Sequence, residues 1–206
     1  MLGNILHGLE QKVARGFERT GVYSDFLGFQ YYCRVTAPSL YPPLGPLHPK
    51  GRYYSEHPGF GDIYPQGIYE LLKKVNEQYP QKEIFISEFG FSDSKDIRRP
   101  YWILETVRYV IEAMKHGVPV KGMLLWSLVN NFEWNRGMEQ KFGLFDEKDL
   151  KEPLIASPEK VSGWEAWRAV AGAVTQPSVE TLADLQKIYE RAERQFKASL
   201  KQEGEA

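Results

Sequence analysis

Segments that predict strands alternate with segments that predict helices in this chain of 206 residues, and this order limits the folds open to it. Three short runs rich in β-branched and aromatic residues predict buried strands over residues 26–35, 83–87 and 121–128. Four longer segments predict helices over residues 4–19, 68–79, 100–115 and 161–174. Strands that alternate with helices favour a parallel sheet with the helices packed outside it. Three such strands fit a small α/β layer or one arc of a closed barrel.

The rest of the chain predicts two long loops and a final helix. Residues 37–65 are rich in Pro, Gly, Tyr and His, and a loop of that length usually carries function. Residues 130–160 are predicted to be mostly loop. Residues 178–200 predict a charged helix with one apolar stripe, formed by Val179, Leu182, Leu185, Tyr189, Ala192 and Phe196. We therefore expect an α/β part over residues 1–174 and an amphipathic C-terminal helix over residues 175–206.

The composition excludes several classes of function. The net charge of −1 lacks the basic bias that nucleic-acid binding requires. The histidines are scattered and Cys33 is the single cysteine, so the sequence predicts neither a metal site nor a disulfide framework. No apolar stretch reaches the roughly 20 residues of a membrane span, and the N-terminus does not resemble a signal peptide. We expect a cytoplasmic protein without a cofactor.

Glu88 is the first candidate catalytic residue, because it directly follows the apolar strand predicted over residues 83–87. The two-residue period of a strand predicts that Glu88 faces the same side as Ile84 and Ile86. Barrel enzymes keep their catalytic groups at the C-terminal ends of parallel strands. A carboxylate that caps the strand and pairs with an arginine is the structural alternative.

The end of the third predicted strand gathers side chains suited to binding a sugar. Residues 126–134 contain two indoles, Trp126 and Trp134, together with Glu133 and two amides. An indole offers a flat apolar platform to the C–H face of a sugar ring, and carboxylate and amide groups bind sugar hydroxyls. Core tryptophans beside a solvated loop would give the same pattern.

The first predicted strand adds Gln30, Tyr31 and Tyr32. A phenol beside a carboxylate nucleophile donates a hydrogen bond that holds the carboxylate ionised and oriented. By itself, a pair of tyrosines is more often a packing feature.

These strand ends resemble motifs of glycoside hydrolase family 1. The matching segments are collinear, and they read DFLGFQYY at residues 25–32, IYPQGIY at 63–69, ISEFG at 86–90, WSLVNNFEW at 126–134 and KFGL at 141–144. In the same order, the family patterns are D-F-L-G-x-N-Y-Y, Y-P-x-G-L-Y, S/T-E-N-G, W-S-L-x-D-N-F-E-W and R-F-G-L. The matches span about residues 25–145.

The resemblance implies a (β/α)₈ barrel that hydrolyses β-glycosides with retention of configuration. The chain would supply the C-terminal part of such a barrel, about three βα units, followed by a helical tail. Glu88 would be the nucleophile, and Tyr32 would hydrogen-bond to it.

The same resemblance implies a set of sugar-binding residues. Trp126 would lie beneath the sugar in the cleaved subsite, and Glu133 and Trp134 would bind its hydroxyls. Gln30 would stand near the reacting sugar, and Phe142 would line the rim.

Three positions depart from the family motifs. Gln30, Phe89 and Asn130 stand where the family has Asn, Asn and Asp. These changes bear on rate and substrate preference more than on reaction type. Residues 96–101 and 117–120 and the helical tail are also similar to the plant plastid-envelope galactolipid galactosyltransferases and their bacterial relatives, which transfer a sugar to another sugar.

The chain lacks the acid/base residue that the family mechanism needs. Retaining hydrolysis uses two carboxyls about 5–5.5 Å apart. No predicted strand ends in an Asn-Glu-Pro motif, and Glu152, which precedes a proline, falls in a predicted loop and is rejected as the acid. We therefore expect a second polypeptide to complete the barrel around a β-glycoside substrate.

Two non-enzymatic alternatives stay open. Two copies of the chain would associate into a catalytically incompetent structural or sugar-binding module. Otherwise, the helix predicted over residues 178–200 would dock the chain onto a partner as an interaction module.

Overall fold

The computed structural model describes residues 24–34, 63–80, 82–154 and 159–204. Within these ranges the chain forms five β-strands, four α-helices and one turn of 3₁₀ helix. The helix predicted over residues 4–19 and most of the loop predicted over residues 37–65 lie outside the described residues.

Three strands form a parallel sheet in the order β1–β2–β3. They are β1 (Phe26–Tyr31), β2 (Glu83–Phe89) and β3 (Val120–Leu125). All three predicted strands are confirmed, although β1 and β3 end earlier than predicted and β2 continues through Glu88.

Two helices connect the three strands, as parallel pairing requires. Helix α1 (Gly67–Gln78) follows β1, and helix α2 (Arg99–Lys115) joins β2 to β3. Pro100 stands in the first turn of α2, where its missing N–H removes no intrahelical hydrogen bond. Gly117 follows α2 with φ of 85°, a left-handed conformation that ends helices and favours glycine. Both predicted helices are confirmed to within one residue at each end.

Two further helices follow the sheet, α3 (Gly163–Thr175) and α4 (Val179–Gly204). Both were predicted from the sequence. Ser162 caps α3, since its side chain accepts the backbone N–H of Glu165 at 3.0 Å. Among the described helices, none combines the length and the apolar composition needed to cross a bilayer.

Residues 130–154 are mostly loop, as predicted, and hold a few short regular elements. They contain the 3₁₀ turn Trp134–Arg136 and an antiparallel pair, β4 (Phe145–Asp146) with β5 (Asp149–Pro153). The strands β4 and β5 were not predicted, because strands this short have too few residues to show a two-residue period.

The core lies between the sheet and its helices. Phe89 of β2 is fully buried and stacks on Trp102 of α2, with ring centroids 5.6 Å apart. The opposite face of the sheet is open, since Phe26 is 52% exposed and Leu124 is 67% exposed. Within the described residues, only the helical side of the sheet is covered.

Glu88 does not share a face with Ile84 and Ile86, so that prediction is wrong. Both isoleucines are fully buried, and the register of β2 shifts after Ile86 against both neighbouring strands. Phe89 takes the next buried position, and Glu88 pairs instead with the exposed Gln30 of β1. Because side chains alternate along a strand, an irregularity of one residue exchanges its two faces.

Helix α4 packs along α2 and α3. The Tyr189 hydroxyl of α4 donates a hydrogen bond to the buried Glu105 of α2. Arg191 Nη1 donates to Glu165 Oε1 of α3 at 2.9 Å. Phe196 of the predicted apolar stripe is buried in the same helix. A boundary between residues 174 and 175 stays a prediction.

Replacing Tyr189 by Phe is expected to lower the free energy of unfolding by about 1.5–3 kcal/mol, because the buried Glu105 carboxylate loses a donor. Urea denaturation followed by circular dichroism measures this change. Tyr79→Phe is the matched control, because Tyr79 lies exposed at the end of α1 and should change stability by less than about 0.5 kcal/mol. Equal effects of the two substitutions would contradict a docking role for the Tyr189 hydroxyl.

Candidate active site

The carboxyl ends of β1 and β2 bring Tyr32 and Glu88 into contact. Tyr32 directly follows β1, and its hydroxyl donates a hydrogen bond of 2.5 Å to Glu88 Oε2. Gln30 is the register partner of Glu88 on the same open face of the sheet. The structure therefore brings together three of the residues that the sequence selected.

Tyr32 is held as a hydrogen-bond donor. Burial raises the pKa of its phenol well above the ordinary value, and the hydrogen bond to Glu88 and the charges of Glu88 and Glu133 raise that pKa further. The phenol is therefore protonated at neutral pH. Because the charge of Glu133 acts on Tyr32, the two carboxylates lie at the same end of the sheet.

Trp126 and Asn131 hold the second carboxylate, that of Glu133. Glu133 Oε1 accepts hydrogen bonds from Trp126 Nε1 at 3.2 Å and from Asn131 Nδ2 at 2.6 Å. Trp126 follows β3, and its backbone N–H donates to Phe89 O at 2.8 Å, which fixes the end of β3 beside that of β2. Two donors on one oxygen orient the carboxylate so that its other oxygen can accept a ligand hydroxyl.

Phe142 and Trp134 differ in how far their side chains are exposed. Phe142 is 2% exposed and packs edge-on against Tyr32, with ring centroids 5.6 Å apart. It supports Tyr32 instead of lining an open rim. Trp134 is 88% exposed, so its described neighbours leave the indole almost uncovered.

The sequence reasoning missed Gly90 and Asn131 as members of the site. A Cβ at Gly90 would lie 2.3 Å from Trp126 O and 3.0 Å from Tyr32 Cε1, so only glycine fits between these two groups. The sequence pattern that could have identified Gly90 is a glycine two residues after Glu88. The signal for Asn131 was its place two residues before Glu133 in the cluster of amides and indoles.

Two of the departures from the family motifs lie away from the open face. Phe89 belongs to the core between β2 and α2. Asn130 is buried, and its Oδ1 accepts the backbone N–H of Gly143 at 2.9 Å. This hydrogen bond of Asn130 fixes the loop before β4, and it involves neither Glu88 nor Glu133.

A buried ion pair stands behind the site. Arg99 Nη1 lies 3.0 Å from Asp96 Oδ1, and both side chains are about 1% exposed. Asp96 Oδ2 also accepts the N–H of Gly163 at the start of α3 at 2.6 Å. Asp93 Oδ2 accepts the N–H groups of Arg98 and Arg99 at 2.6 and 3.0 Å and so caps α2. The loop after β2 is tied in this way to two helices.

The arrangement offers the chemistry of two oriented carboxylates. A carboxylate held by a phenol at a strand end can attack an electrophilic carbon, and a second carboxylate beside an indole can bind hydroxyl groups. Across residues 24–34, 63–80, 82–154 and 159–204, no group of three or more His, Cys, Asp or Glu side chains is arranged to hold a metal ion.

Residues 23–151 match the family described as Glycosyl hydrolase family 1. This chain belongs to glycosyl hydrolase family 1. The matched range runs from before β1 into β5, so it contains the whole cluster around Glu88 and Glu133.

Several known proteins are similar to this chain over part of their length. The β-galactosidase of Pyrococcus woesei is 28% identical over 158 residues, which are 68% of this chain and 30% of that protein. Fpglu1 from Fervidobacterium pennivoraus is 31% identical in its solved structure, with a TM-score of 0.57 over 73% of this chain and 36% of its own. The family 1 β-glucosidase of Thermotoga maritima shares the fold at 24% identity and a TM-score of 0.56, over 75% of this chain and 35% of its own. The chain thus spans about a third of the length of these relatives.

The solved structures confirm the predicted fold class. The parallel strands and their outer helices correspond to about a third of the chain in Fpglu1 and in the family 1 β-glucosidase of Thermotoga maritima. The described part of this protein is therefore one arc of a (β/α)₈ barrel, with helices at its C-terminal end.

Replacing Gly90 by Ala is expected to lower the free energy of unfolding by about 1–3 kcal/mol, because the added methyl must displace the Trp126 backbone or the Tyr32 ring. Thermal unfolding followed by circular dichroism measures this change. Gly172→Ala within α3 is the control, since a Cβ there meets nothing within 4 Å and Ala favours a helix by up to about 1 kcal/mol. Stabilisation at both positions would show that Gly90 has more room than its neighbours allow in this structure.

Asp96 is expected to make the stability of the fold depend on pH. Burial raises the pKa of its carboxyl to about 6 in spite of the attraction to Arg99, whereas an aspartate in an unfolded chain has a pKa of about 3.9. The folded protein therefore binds this proton more tightly than the unfolded chain. The stabilising contribution is fully present below about pH 4 and is lost as the pH rises through about 6.

Urea midpoints measured at about pH 4.5 and about pH 7.5 test this dependence on Asp96. The Asp96→Asn variant should lack a contribution of about 2 kcal/mol between these two conditions. Asp184→Asn is the control, because Asp184 is exposed on α4 and should leave the pH dependence unchanged. An Asp96→Asn variant with the same pH dependence as the parent chain would refute the effect.

Proposed function

We propose that this chain carries the nucleophile half of a retaining β-glycosidase site, with Glu88 as the nucleophile. The observation that carries the proposal is the hydrogen bond from Tyr32 to Glu88 at the carboxyl ends of β1 and β2. A phenol bonded to one oxygen fixes the carboxylate, so that its other oxygen can attack. Barrel enzymes place their catalytic groups at this end of the strands.

The proposed first step is a displacement at the anomeric carbon of the sugar. One oxygen of Glu88 bonds to that carbon, the bond to the leaving oxygen breaks, and the leaving oxygen takes a proton from an acid. In the second step, the conjugate base of that acid removes a proton from water, and the water oxygen displaces Glu88. Two displacements at one carbon retain its configuration.

The proposed substrate is a β-glucoside or a β-galactoside. Trp126 would support the apolar face of the sugar, and Glu133, oriented by the indole N–H of Trp126, would accept its hydroxyl groups. Gln30 lies beside the nucleophile on the open face, where its amide can reach another hydroxyl. The exposed indole of Trp134 offers a further donor, and Phe142 supports the site from beneath.

We further propose that a second polypeptide supplies the acid. Retaining enzymes use two carboxyls about 5–5.5 Å apart, and in the described ranges the carboxylate close enough to act on Tyr32 besides Glu88 is Glu133. Glu133 is assigned to the sugar. Glu152, rejected as the acid from the sequence, lies exposed on β5 and not in a loop as predicted. An added segment with the remaining βα units would also cover the exposed Phe26 on the open face.

Transfer of the sugar to another sugar is the alternative raised by the similarity of residues 96–101 to galactosyltransferases. Asp96 and Arg99 are buried behind the site, where they cannot contact an acceptor sugar. We therefore favour water as the acceptor. Product analysis by chromatography separates the two reactions.

Co-expression with a polypeptide that carries early family 1 strands and an Asn-Glu-Pro motif is expected to give hydrolysis of aryl β-glycosides. Glu88→Gln should then lower kcat by about a thousand-fold or more, because the amide is a poor nucleophile. Release of the aryl group, followed by absorbance, measures the rate.

Glu180→Gln is the matched control, since it removes a carboxylate from the exposed first turn of α4. Activity that survives Glu88→Gln would refute the assignment of the nucleophile. Size-exclusion chromatography with light scattering tests assembly. A monomer with no affinity for the added polypeptide would contradict the split barrel, and a homodimer without turnover would favour the self-associating module.

A further inference from the structure

Arg99 is surrounded by acceptors from two loops. Its Nε donates to Phe91 O at 3.1 Å, and its Nη2 donates to Asp93 O. In the second loop, Nη2 donates to Lys141 O at 2.5 Å and Nη1 donates to Gly143 O at 2.6 Å. An arginine has five N–H donors in a rigid planar fork, which suits it to hold several backbone carbonyls at fixed positions.

These two loops are the ones that border the candidate active site. Phe91 and Asp93 belong to the segment that leaves β2 just after the Glu88 strand end. Lys141 and Gly143 are the two neighbours of Phe142 in the chain. The Arg99 guanidinium therefore binds the backbone on both sides of Phe142 and holds this segment against the residues that follow β2.

A series of direct contacts connects the segment held by Arg99 to the carboxylate of Glu88. The Phe142 ring packs edge-on against Tyr32, and the Tyr32 hydroxyl binds Glu88 Oε2. Gly90 brings the same elements together, because a Cβ at that position would meet the Tyr32 ring at 3.0 Å and Phe142 Cδ1 at 3.3 Å. Little space is left in which the two rings can shift independently.

We infer that Arg99 is a positioning residue for the Tyr32–Glu88 pair and acts on it through Phe142. The inference rests on the proposed role of Glu88 as the nucleophile. Arg99 itself is buried, so its side chain is not accessible to a sugar. Its effect is to fix the backbone around Phe142, so that the Phe142 ring keeps the Tyr32 phenol directed at Glu88.

The alternative is that Arg99 serves only global stability, and the two roles predict different results. A purely structural residue would lower the fraction of folded protein without changing the site in the molecules that remain folded. A positioning residue would alter the surroundings of Tyr32 in the folded protein. Misplacement of a reacting group by about 1 Å lowers rates by about a hundred-fold.

Fluorine NMR of the full chain labelled with 3-fluorotyrosine tests the inference without any substrate. The Tyr32 resonance is assigned by its loss in Tyr32→Phe. We expect Arg99→Met and Phe142→Leu each to move this resonance in the folded protein. Glu105→Gln is the matched control: it changes another buried charged residue of α2, one that contacts Arg108 and Tyr189 instead of the site, and should leave the resonance in place.

Kinetics of the co-expressed assembly give the second measurement. Arg99→Met should lower kcat by about a hundred-fold with little change in KM, since the nucleophile and not the sugar subsite is displaced. If Arg99→Met does not fold, Phe142→Leu should still move the resonance and lower kcat.

The outcomes separate the two proposals. An unmoved Tyr32 resonance in folded Arg99→Met, or in Phe142→Leu if that variant alone folds, would overturn the positioning role. A moved resonance with an unchanged kcat would support the positioning of Tyr32 and refute the catalytic role of the Tyr32–Glu88 pair.

Discussion

The buried ion pair of Asp96 and Arg99 is the interaction on which the rest of this structure depends. Removing two charges from water is unfavourable unless further polar groups complete their surroundings. Backbone groups do so for Arg99, which carbonyls of two loops surround, and in part for Asp96, whose Oδ2 binds the N–H of Gly163. The exit of β2, the start of α2, the start of α3 and the loop before β4 therefore meet at one point. The candidate active site is placed by these four segments.

The two faces of the sheet differ in how far their side chains are buried. On the helical side, Phe89 is sealed between β2 and α2. On the other side, Phe26 and Leu124 expose most of their surface, and the candidate site lies at the top of this open face. A soluble protein rarely leaves a wide apolar sheet face uncovered. Under the proposed function, one added polypeptide would bring both a cover for this face and the acid that the mechanism needs.

The sequence predicts the long regular elements well and the local irregularities poorly. Strands of six or more residues and the four helices show a clear period, so β1, β2, β3 and these helices were all foreseen, as was the family. The register shift in β2 leaves no compositional mark, so Glu88 was placed on the wrong face. The support of Tyr32 by Phe142 was missed because it is a ring contact between residues far apart in the chain. The bonds from Arg99 to Lys141 and Gly143 were missed because they join residues more than 40 positions apart through backbone carbonyls. No local pattern encodes such contacts.

The register shift in β2 also determines whether the segment around Glu88 can be moved between proteins. Ser87 occupies the irregular step, and its hydroxyl donates to Phe29 O of β1 at 3.1 Å, so the neighbouring strand takes part in the irregularity. On a regular strand, residues 84–89 would direct Glu88 into the hydrophobic layer and Phe89 toward water. A graft of this motif onto another barrel must therefore carry the matching stretch of the adjacent strand with it, because the chemistry of the segment belongs to two strands together.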